Sequence, residues 1–212
     1  MRLGKLLLAA GLLAFASSAS YADDFSFTGN FSGINDVQLF TFTVGATSNV
    51  VLRTWSYAGG VNAAGQTIAE GGFDPILALF QGTGASAVYI DQNDDGGALV
   101  PADSVTGTHY DTYLATNALA PGVYTVSVMD YANFAKGPTL GDGFTGGALT
   151  GGTFIDATGH NRDSHWAFDI LGVESATAPG NPPSAVPEPS TIALLGSGLF
   201  GLAGMVRRRL SV

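Results

Sequence analysis

The stretch VQLFTFTV, residues 37–44, decides the fold class of this chain of 212 residues. Phe40, Phe42 and Val44 stand at alternate positions, which is the period-two pattern of a strand with one buried face. Segments that alternate in the same way, or that are rich in β-branched and aromatic residues, recur along the chain: FSFTGNF (25–31), NVVLRTWSY (49–57), FDPILALF (73–80), AVYI (87–90), YDTYLAT (110–116), GVYTVSVMDY (122–131) and HWAFDILGV (165–173). Short strands divided by turn residues predict an all-β domain, an antiparallel β-sandwich or jelly-roll-like fold of about eight to nine strands.

Composition divides the chain into parts. The strands occupy residues 23–174, which we predict to form the β-sandwich domain, with a long Gly-rich insertion at 132–163 before the last strand. Loops of this length are commonly functional or mobile. Residues 175–186 are rich in Ala, Pro, Ser and Gly, and predict a semi-extended linker to a separate tail, residues 187–212.

The start of the chain predicts a signal peptide at residues 1–22. Arg2 and Lys5 are followed by an apolar run at 6–15 and by SYA at 20–22, a small-x-small cleavage site. An uncleaved membrane helix is the alternative, but the run is shorter than the roughly 20 apolar residues that a span needs. We therefore expect export, with removal of the segment by signal peptidase.

Charge and cysteine content exclude several classes of partner and site. Residues 23–174 hold sixteen acidic and three basic residues, a formal charge of −13. Such a field repels phosphate backbones and anionic lipid, so we expect no nucleic-acid partner, and divalent cations are the natural counter-ions. The chain has no cysteine, which excludes disulfides, zinc thiolate sites and thiol catalysis.

The segment DQNDDGGALVPADS, residues 91–104, is the best candidate for a site in the domain. Asp91, Asn93 and Asp95 stand at alternate positions before Gly96. This spacing matches the first half of a calcium loop, in which alternate oxygens turn inward and glycine permits the sharp bend.

The second half of such a loop is missing from the segment. Ala102 stands where a calcium loop ends in a bidentate Glu, so Asp103 or Asp111 would have to complete the calcium shell. The alternative is a polar β-turn in which Asp and Asn side chains cap backbone amides. The residues alone leave both interpretations open.

The region from Gly71 to Tyr131 resembles a bacterial domain family. GGFDPILALF, the acidic turn NDDGG and the strands DTYLAT and LAPGVYTVSVMDY succeed one another as in the pre-peptidase C-terminal type of β-sandwich. GHNRDSHWAFDI (159–170) resembles the last strand of bacterial proteins that have such a domain together with a C-terminal sorting signal. Some of these modules bind calcium and polysaccharide or collagen, so the resemblance implies Ca²⁺ as a cofactor that rigidifies residues 91–111.

The resemblance also implies metal ligands by position. The residues that match the acidic turn and the following strand are Asp91, Asn93, Asp94, Asp95 and Asp111. The chain has Asp-Thr at 111–112 where the pattern usually has Asp-Ser, which leaves the carboxylate in place. With Asp103, these residues are the predicted calcium ligands.

The chain ends in VPEPSTIALLGSGLFGLAGMVRRRLSV, residues 186–212. Residues 190–206 are uncharged and, as a transmembrane helix, would be about 25 Å long, enough to cross a thin bilayer. Arg207, Arg208 and Arg209 would stay on the cytoplasmic side and leave the domain outside. The residues alone predict a weak, Gly-interrupted membrane anchor.

Three features of this tail, in this order, resemble the PEP-CTERM sorting signal of Gram-negative bacteria. They are the motif Pro187, Glu188 and Pro189, a short hydrophobic helix and the terminal arginine cluster. The resemblance implies recognition by an exosortase, a membrane transpeptidase-like enzyme that removes the tail and passes the protein to the cell surface or an exopolysaccharide matrix. The helix would then hold the protein in the inner membrane only transiently, before processing. A permanent tail anchor is the alternative.

Motifs of common hydrolases are missing from the chain, which has neither H-E-x-x-H nor G-x-S-x-G. For His160 and His165 we expect loop hydrogen bonding rather than catalysis. The sequence does not decide whether two of the carboxylates form the catalytic pair of a glycoside hydrolase, because one sequence does not give their separation in space. Trp55, Trp166 and the tyrosines are candidates for a sugar-stacking platform, although aromatic residues in strands of this pattern are more often core.

We therefore expect a non-enzymatic, exported protein with a structural or adhesive role around exopolysaccharide, in a biofilm, at the cell surface or in the extracellular matrix of a Gram-negative bacterium. Its expected partners are signal peptidase, exosortase and exopolysaccharide. One alternative is a calcium-dependent carbohydrate-binding module, which an exposed Trp or Tyr beside the acidic segment would favour. The other is a polysaccharide hydrolase, which a deep cleft with two carboxylates would favour.

Overall fold

The computed structural model describes residues 22–147, 152–180 and 183–184 of the chain, and nine strands in this part form two antiparallel sheets. The four-stranded sheet has the order β1 (Asp23–Asn30), β10 (His165–Val173), β3 (Ser48–Thr54) and β8 (Tyr113–Leu119). The five-stranded sheet has the order β11 (Ser175–Thr177), β2 (Val37–Val44), β9 (Gly122–Asp130), β6 (Pro75–Gln81) and β7 (Val88–Asn93). A third sheet is the short hairpin of β4 (Gly60–Val61) and β5 (Thr67–Ile68). The all-β, antiparallel prediction is confirmed.

The two large sheets face each other across one apolar core. The ring of Phe40 in β2 has its centroid 4.8 Å from those of Phe27 and Phe168, and 5.6 Å from that of Trp166. These three neighbours belong to the opposite sheet, so the apolar alternate positions of both sheets interdigitate. Burial of each such side chain contributes roughly 1.5–3 kcal/mol to folding.

The described part of the insertion before β10 covers the outer face of the five-stranded sheet. Ile76, Phe80 and Met129 form a second apolar cluster on that face, and Phe134 and Leu140 of the insertion pack against it. Backbone hydrogen bonds from the insertion to the turn between β6 and β7 hold this cover in place. Consecutive apolar residues in β6 are explained by this arrangement, because both faces of the strand are buried.

The five-stranded sheet continues past the predicted end of the domain. β11 pairs with residues 41–43 of β2, and Ser184 forms a bridge with Ser26 of β1. The first three residues of the predicted linker therefore belong to the sheet. A segment so short offers no alternation from which a strand can be predicted.

The predicted signal peptide up to residue 21, the tail helix at 190–206 and the arginine cluster at 207–209 lie outside the described residues. Within the described ranges, no helix is long and apolar enough to cross a membrane.

The three neighbouring strands β9, β6 and β7 have ends that lie side by side at one end of the five-stranded sheet. Pro75, the first residue of β6, lies opposite Asp130, the last residue of β9. β7 ends on the other side of β6, at Asn93. Asp74 precedes β6, Asp94 follows β7 and Asp130 ends β9. The antiparallel register therefore brings three carboxylates to this end of the sheet.

Candidate functional site

The acidic segment at 91–104 begins inside a strand. β7 runs on to Asn93, because its backbone pairs with β6 as far as Leu77. Asp91 is exposed, and its carboxylate accepts a hydrogen bond from the backbone N–H of the next residue at 2.8 Å. Nδ2 of Asn93 donates to the carbonyl of Tyr113 in β8 at 2.9 Å. Asn93 thus links the edge strands of the two sheets.

Asp111 orders the chain that follows β3. Its buried carboxylate accepts hydrogen bonds from Oγ1 of Thr54 at 2.9 Å and from the N–H groups of Tyr57 and Ala58 at 3.1 and 2.8 Å. Burial raises the pKa of Asp111, and these hydrogen bonds to the charged form oppose the rise. Both carboxylate oxygens are therefore engaged by donors of the protein itself.

Asp103 is bound by Arg162. Nη1 and Nη2 of Arg162 donate to the two carboxylate oxygens at 2.9 and 3.2 Å. Thr106 donates its N–H and its hydroxyl to the same carboxylate, each at 2.8 Å. Burial raises the pKa of Asp103, but these bonds outweigh burial and lower the pKa to about 2. A guanidinium thus already neutralises this predicted calcium ligand.

Arg162 also binds a second buried carboxylate, that of Asp156. Nε of Arg162 donates to Asp156 at 2.8 Å, and the guanidinium carbon lies 3.8 Å from the ring centroid of Tyr57. The Tyr57 hydroxyl donates to Asp156 at 2.8 Å. Burial lowers the pKa of Arg162, but the bonds to the two carboxylates prevail and hold it above its usual value. We call Tyr57, Asp103, Asp156 and Arg162 the arginine network; it joins the acidic segment to the insertion.

A different set of carboxylates lies at the end of the five-stranded sheet where β6 begins and where β7 and β9 end. Oγ1 of Thr112 contacts the carbonyls of both Pro75 and Asp94 and shares its one proton between them, which ties the start of β6 to the end of β7. The N–H of Tyr131 donates to the carbonyl of Asp74 at 2.9 Å, which ties in the end of β9. The set is here named the strand-end cluster, and it consists of Asp74, Asp94, Asp95 and Asp130.

The strand-end cluster is electrostatically unbalanced. Asp74 is only 4% exposed, and its Oδ1 is buried without a hydrogen-bond partner among the described residues. Burial raises the pKa of Asp74 to about 9, and the negative charges of Asp95, Asp130 and Asp94 add to the rise. Burial also raises the pKa of Asp130 to about 7, although the N–H of Tyr131 opposes this. Asp74 is therefore protonated at neutral pH unless a cation takes the place of the proton.

The structure brings together two of the predicted calcium ligands, Asp94 and Asp95, and gives the others different partners. The four carboxylates of the strand-end cluster do not surround a common point as they stand. In the parts of the chain that the structure describes, no group of three or more His, Cys, Asp or Glu side chains is placed to hold a metal ion.

Sequence reasoning missed Asp74 and Asp130 as candidates for this site. A signal for each was present, because Asp74 precedes the buried strand ILALF and Asp130 ends the strand GVYTVSVMD. The sequence does not show that these two strand ends meet. The roles of Asp156 and Arg162 were missed for a different reason. The two lie six residues apart and bind each other, but their other partners, Tyr57 and Asp103, are 99 and 59 residues away in the chain, and no local pattern indicates them.

The three histidines make separate local contacts. Nδ1 of His109 lies 2.8 Å from the carbonyl oxygen of Val100, and Nδ1 of His160 lies 2.8 Å from a threonine hydroxyl. Nδ1 of His165 contacts the carboxylate of Asp163. The structure does not bring the three imidazoles to one place.

The tryptophans are held by neighbouring side chains. Trp166 is 2% exposed and belongs to the main core. Trp55 is half-buried, with the guanidinium carbon of Arg53 at 3.7 Å from its ring centroid and its Nε1 donating to Asp169 at 2.7 Å. Gly60 packs so closely against the Trp55 ring that a Cβ there would lie 2.7 Å from it. Trp166 is thus a core residue, and Trp55 is fixed against the four-stranded sheet.

Comparison with protein families identifies the PEP-CTERM protein-sorting motif at residues 185–209. The matched range contains the triplet Pro187, Glu188 and Pro189 and the arginine cluster that the sequence singled out. It does not extend into the β-sandwich, so the resemblance of the domain to the pre-peptidase C-terminal type stays a prediction. No curated protein matches the chain. The chain therefore carries a PEP-CTERM sorting motif, which makes it an exported protein that is transiently anchored at the membrane and processed by an exosortase.

Proposed function

We propose that the sorted domain has a non-catalytic, structural or adhesive role in the exopolysaccharide matrix at the cell surface, as in a biofilm. The observation that carries this proposal is the sorting motif at 185–209. The domain suits the role, because the arginine network and the bonds to Asp111 tie its loops together through buried groups. A formal charge of −13 over residues 23–174 favours neutral polysaccharide and divalent cations over anionic partners.

Protein collected after export by the producing cells is the material for the test. Co-sedimentation with the exopolysaccharide of the same cells should retain it, and absence of retention would reject the matrix role. Intact mass should show loss of the tail, and retention of Arg207, Arg208 and Arg209 would mean a permanent anchor instead. Glu188→Ala in the motif should leave the tail uncleaved, whereas Ser184→Ala, just upstream of the matched range, should not.

Calcium-dependent carbohydrate binding is a second candidate function, favoured by the buried Oδ1 of Asp74, which has no hydrogen-bond partner in the described part of the chain. A calcium ion at the strand-end cluster would replace the protons of Asp74 and Asp130. The exposed side chain of Asp95 would have to turn towards the ion, because the carboxylates do not surround it as they stand. The ion would supply positive charge at the start of the acidic segment and rigidify it.

Thermal unfolding of the exported protein at pH 8, with calcium and then with chelator, tests this candidate. Calcium at a hundred times its dissociation constant should stabilise the domain by about 2.7 kcal/mol. Asp74→Asn should abolish this shift, whereas Asp91→Asn, in the exposed part of β7, should retain it. Loss of the shift in Asp91→Asn alone would place the ion in the acidic segment. A wild-type protein that does not respond to calcium would reject the site.

A further inference from the structure

A cavity of about 280 Å³ lies beside the arginine network. Three segments of the chain line it, around Glu70, around Asp103 and around Arg162. The side chains that take part are those of Glu70, Asp103, Val105, His160, Asn161 and Arg162. The volume lies just below the range of small-molecule sites, roughly 300–1,000 Å³, which suits a ligand the size of a single sugar unit rather than a longer segment.

The cavity is formed in advance, because its three walls are bonded to one another. Oγ of Ser104 donates a hydrogen bond to Glu70 at 2.7 Å, and Arg162 donates to Asp103 at 2.9 Å. The N–H of Asp163 donates to the carbonyl of Gly71 at 2.9 Å. A ligand that enters therefore orders little of the protein, which favours affinity.

The polar groups around the cavity are of the kinds that bind hydroxyl groups. Glu70 is an exposed carboxylate and accepts hydrogen bonds, and the exposed amide of Asn161 both donates and accepts. Nδ1 of His160 is engaged with a threonine hydroxyl, while its Nε2 is the ring nitrogen left for a ligand. Val105 is 69% exposed and offers an apolar surface to the C–H groups of a sugar ring.

Charge in the cavity selects against anionic ligands. Arg162 is already bonded to two carboxylates, those of Asp103 and Asp156. Glu70 forms no ion pair with any basic side chain that the structure describes. The lining therefore carries net negative charge within an acidic domain, and an anionic sugar would be repelled.

We propose that this cavity binds one neutral sugar unit of the matrix polysaccharide. The inference rests on the proposed matrix function and names the ligand class and the residues of its binding site. Glu70 and Asn161 receive the sugar hydroxyls, Val105 packs against the ring, and the arginine network holds the three walls in position.

Calorimetric titration of the exported protein tests this inference. The probes are oligosaccharides released by partial hydrolysis from the exopolysaccharide of the producing cells and separated into neutral and anionic fractions. The neutral fraction should bind, and Glu70→Gln and Asn161→Ala should each weaken it about tenfold or more, because Glu70→Gln replaces one acceptor oxygen with an N–H donor and Asn161→Ala removes the amide. Both residues are exposed, so the unfolding temperature should stay unchanged. Asp91→Asn in β7 is the matched control and should bind as the wild type does.

The outcomes separate this inference from the function on which it rests. Retention of the protein on intact polysaccharide, with equal binding by the wild type and both cavity variants, would overturn the cavity site and leave the matrix function in place. Failure of the wild type to bind either polysaccharide or fragments would overturn both. Tighter binding of the anionic fraction would overturn the neutral ligand class.

Discussion

Nη1 of Arg162 lies 2.9 Å from Oδ2 of Asp103, although 59 residues separate the two in the chain. The two side chains are 4% and 1% exposed. Such a pair is expensive to break, because removal of one partner leaves a charge buried without compensation. Arg162 also binds Asp156, six residues earlier in the insertion, so one guanidinium holds the end of the insertion against the acidic segment.

Replacement of Arg162 should strongly destabilise the domain. Arg162→Met leaves two buried carboxylates without their cation, and we expect the free energy of unfolding to fall by about 3–5 kcal/mol. Arg162→Lys should recover only part of this, because an ammonium cannot donate in the forked geometry of a guanidinium. Urea unfolding measures both. Lys136→Met, which removes an exposed cation of the insertion, is the control and should change stability by under about 0.5 kcal/mol. A similarly small effect of Arg162→Met would contradict the assignment.

Stability should fall as the pH rises from 5 to 8. The pKa of Asp74 is raised to about 9 and that of Asp130 to about 7, from a usual value of 3.8. The folded state therefore binds protons that the unfolded state has lost, so the stability these groups contribute is full below pH 3.8 and disappears as the pH passes 7 and then 9. Each group contributes a slope of about 1.4 kcal/mol per pH unit at most.

Urea unfolding at several pH values measures this slope. Asp74→Asn should flatten it, because the amide does not titrate, while Asp91→Asn should leave it unchanged. Calcium, if it occupies the strand-end cluster, should reduce the loss of stability at pH 8 by taking the place of the protons. A wild-type protein whose stability rises from pH 5 to pH 8 would show that these two carboxyls are not protonated in the folded state.

Asp111 should matter for folding rather than for metal binding. Asp111→Asn replaces an acceptor oxygen with a donor that faces N–H groups, and should cost about 1–3 kcal/mol in the free energy of unfolding. Asp91→Asn, on the exposed side of β7, should be nearly neutral. Calcium titrations of both variants, followed by thermal unfolding, complete the test. An Asp111→Asn protein of normal stability that no longer responds to calcium would make Asp111 a ligand after all.

Gly72 should tolerate no side chain. A Cβ at Gly72 would lie 2.6 Å from the carbonyl oxygen of His165 and 2.7 Å from that of Ser56, and both are backbone atoms that cannot turn aside. Gly72→Ala should therefore cost about 1–3 kcal/mol by overpacking. Gly33→Ala is the matched control, because no atom of the described residues lies within 4 Å of the added Cβ. Equal stability of the two variants in urea would show that the strands beside Gly72 move apart freely.

Much of the fold could be predicted because its signals are local. Alternation in VQLFTFTV, or richness in β-branched and aromatic residues, located the eight strands of six or more residues that the structure describes. β11 and the hairpin of β4 and β5 were missed, because strands of two or three residues leave no pattern. The cover that the insertion lays over β6 was also missed, although the unbroken apolar run ILALF was a sign that both faces of that strand are buried.

The candidate site was predicted only in part. Asp95 was found because it stands at calcium-loop spacing with Asp91 and Asn93, and Asp94 because the resemblance to the pre-peptidase C-terminal type places it in the acidic turn. Asp74 and Asp130 joined them through the register of β6 with β9, which depends on strand pairing and not on neighbours in the chain. Asp103 was assigned to calcium to complete the shell that Ala102 leaves open, and the chain alone does not reveal its partner Arg162, which lies 59 residues away.

The sequence by itself determined the fold class, the acidic character of the domain and the sorting of the protein, because strand periodicity, net charge and a linear motif recognised by a processing enzyme are all written in consecutive residues. Only the tertiary structure decided which carboxylates are paired with Arg162, which are capped by backbone amides and which lie together without an ion pair to any basic side chain that the structure describes. The physical reason is that the charge state of a carboxylate depends on its burial and on the groups within a few ångströms of it, and in this fold those groups come from strands and loops far apart in the chain.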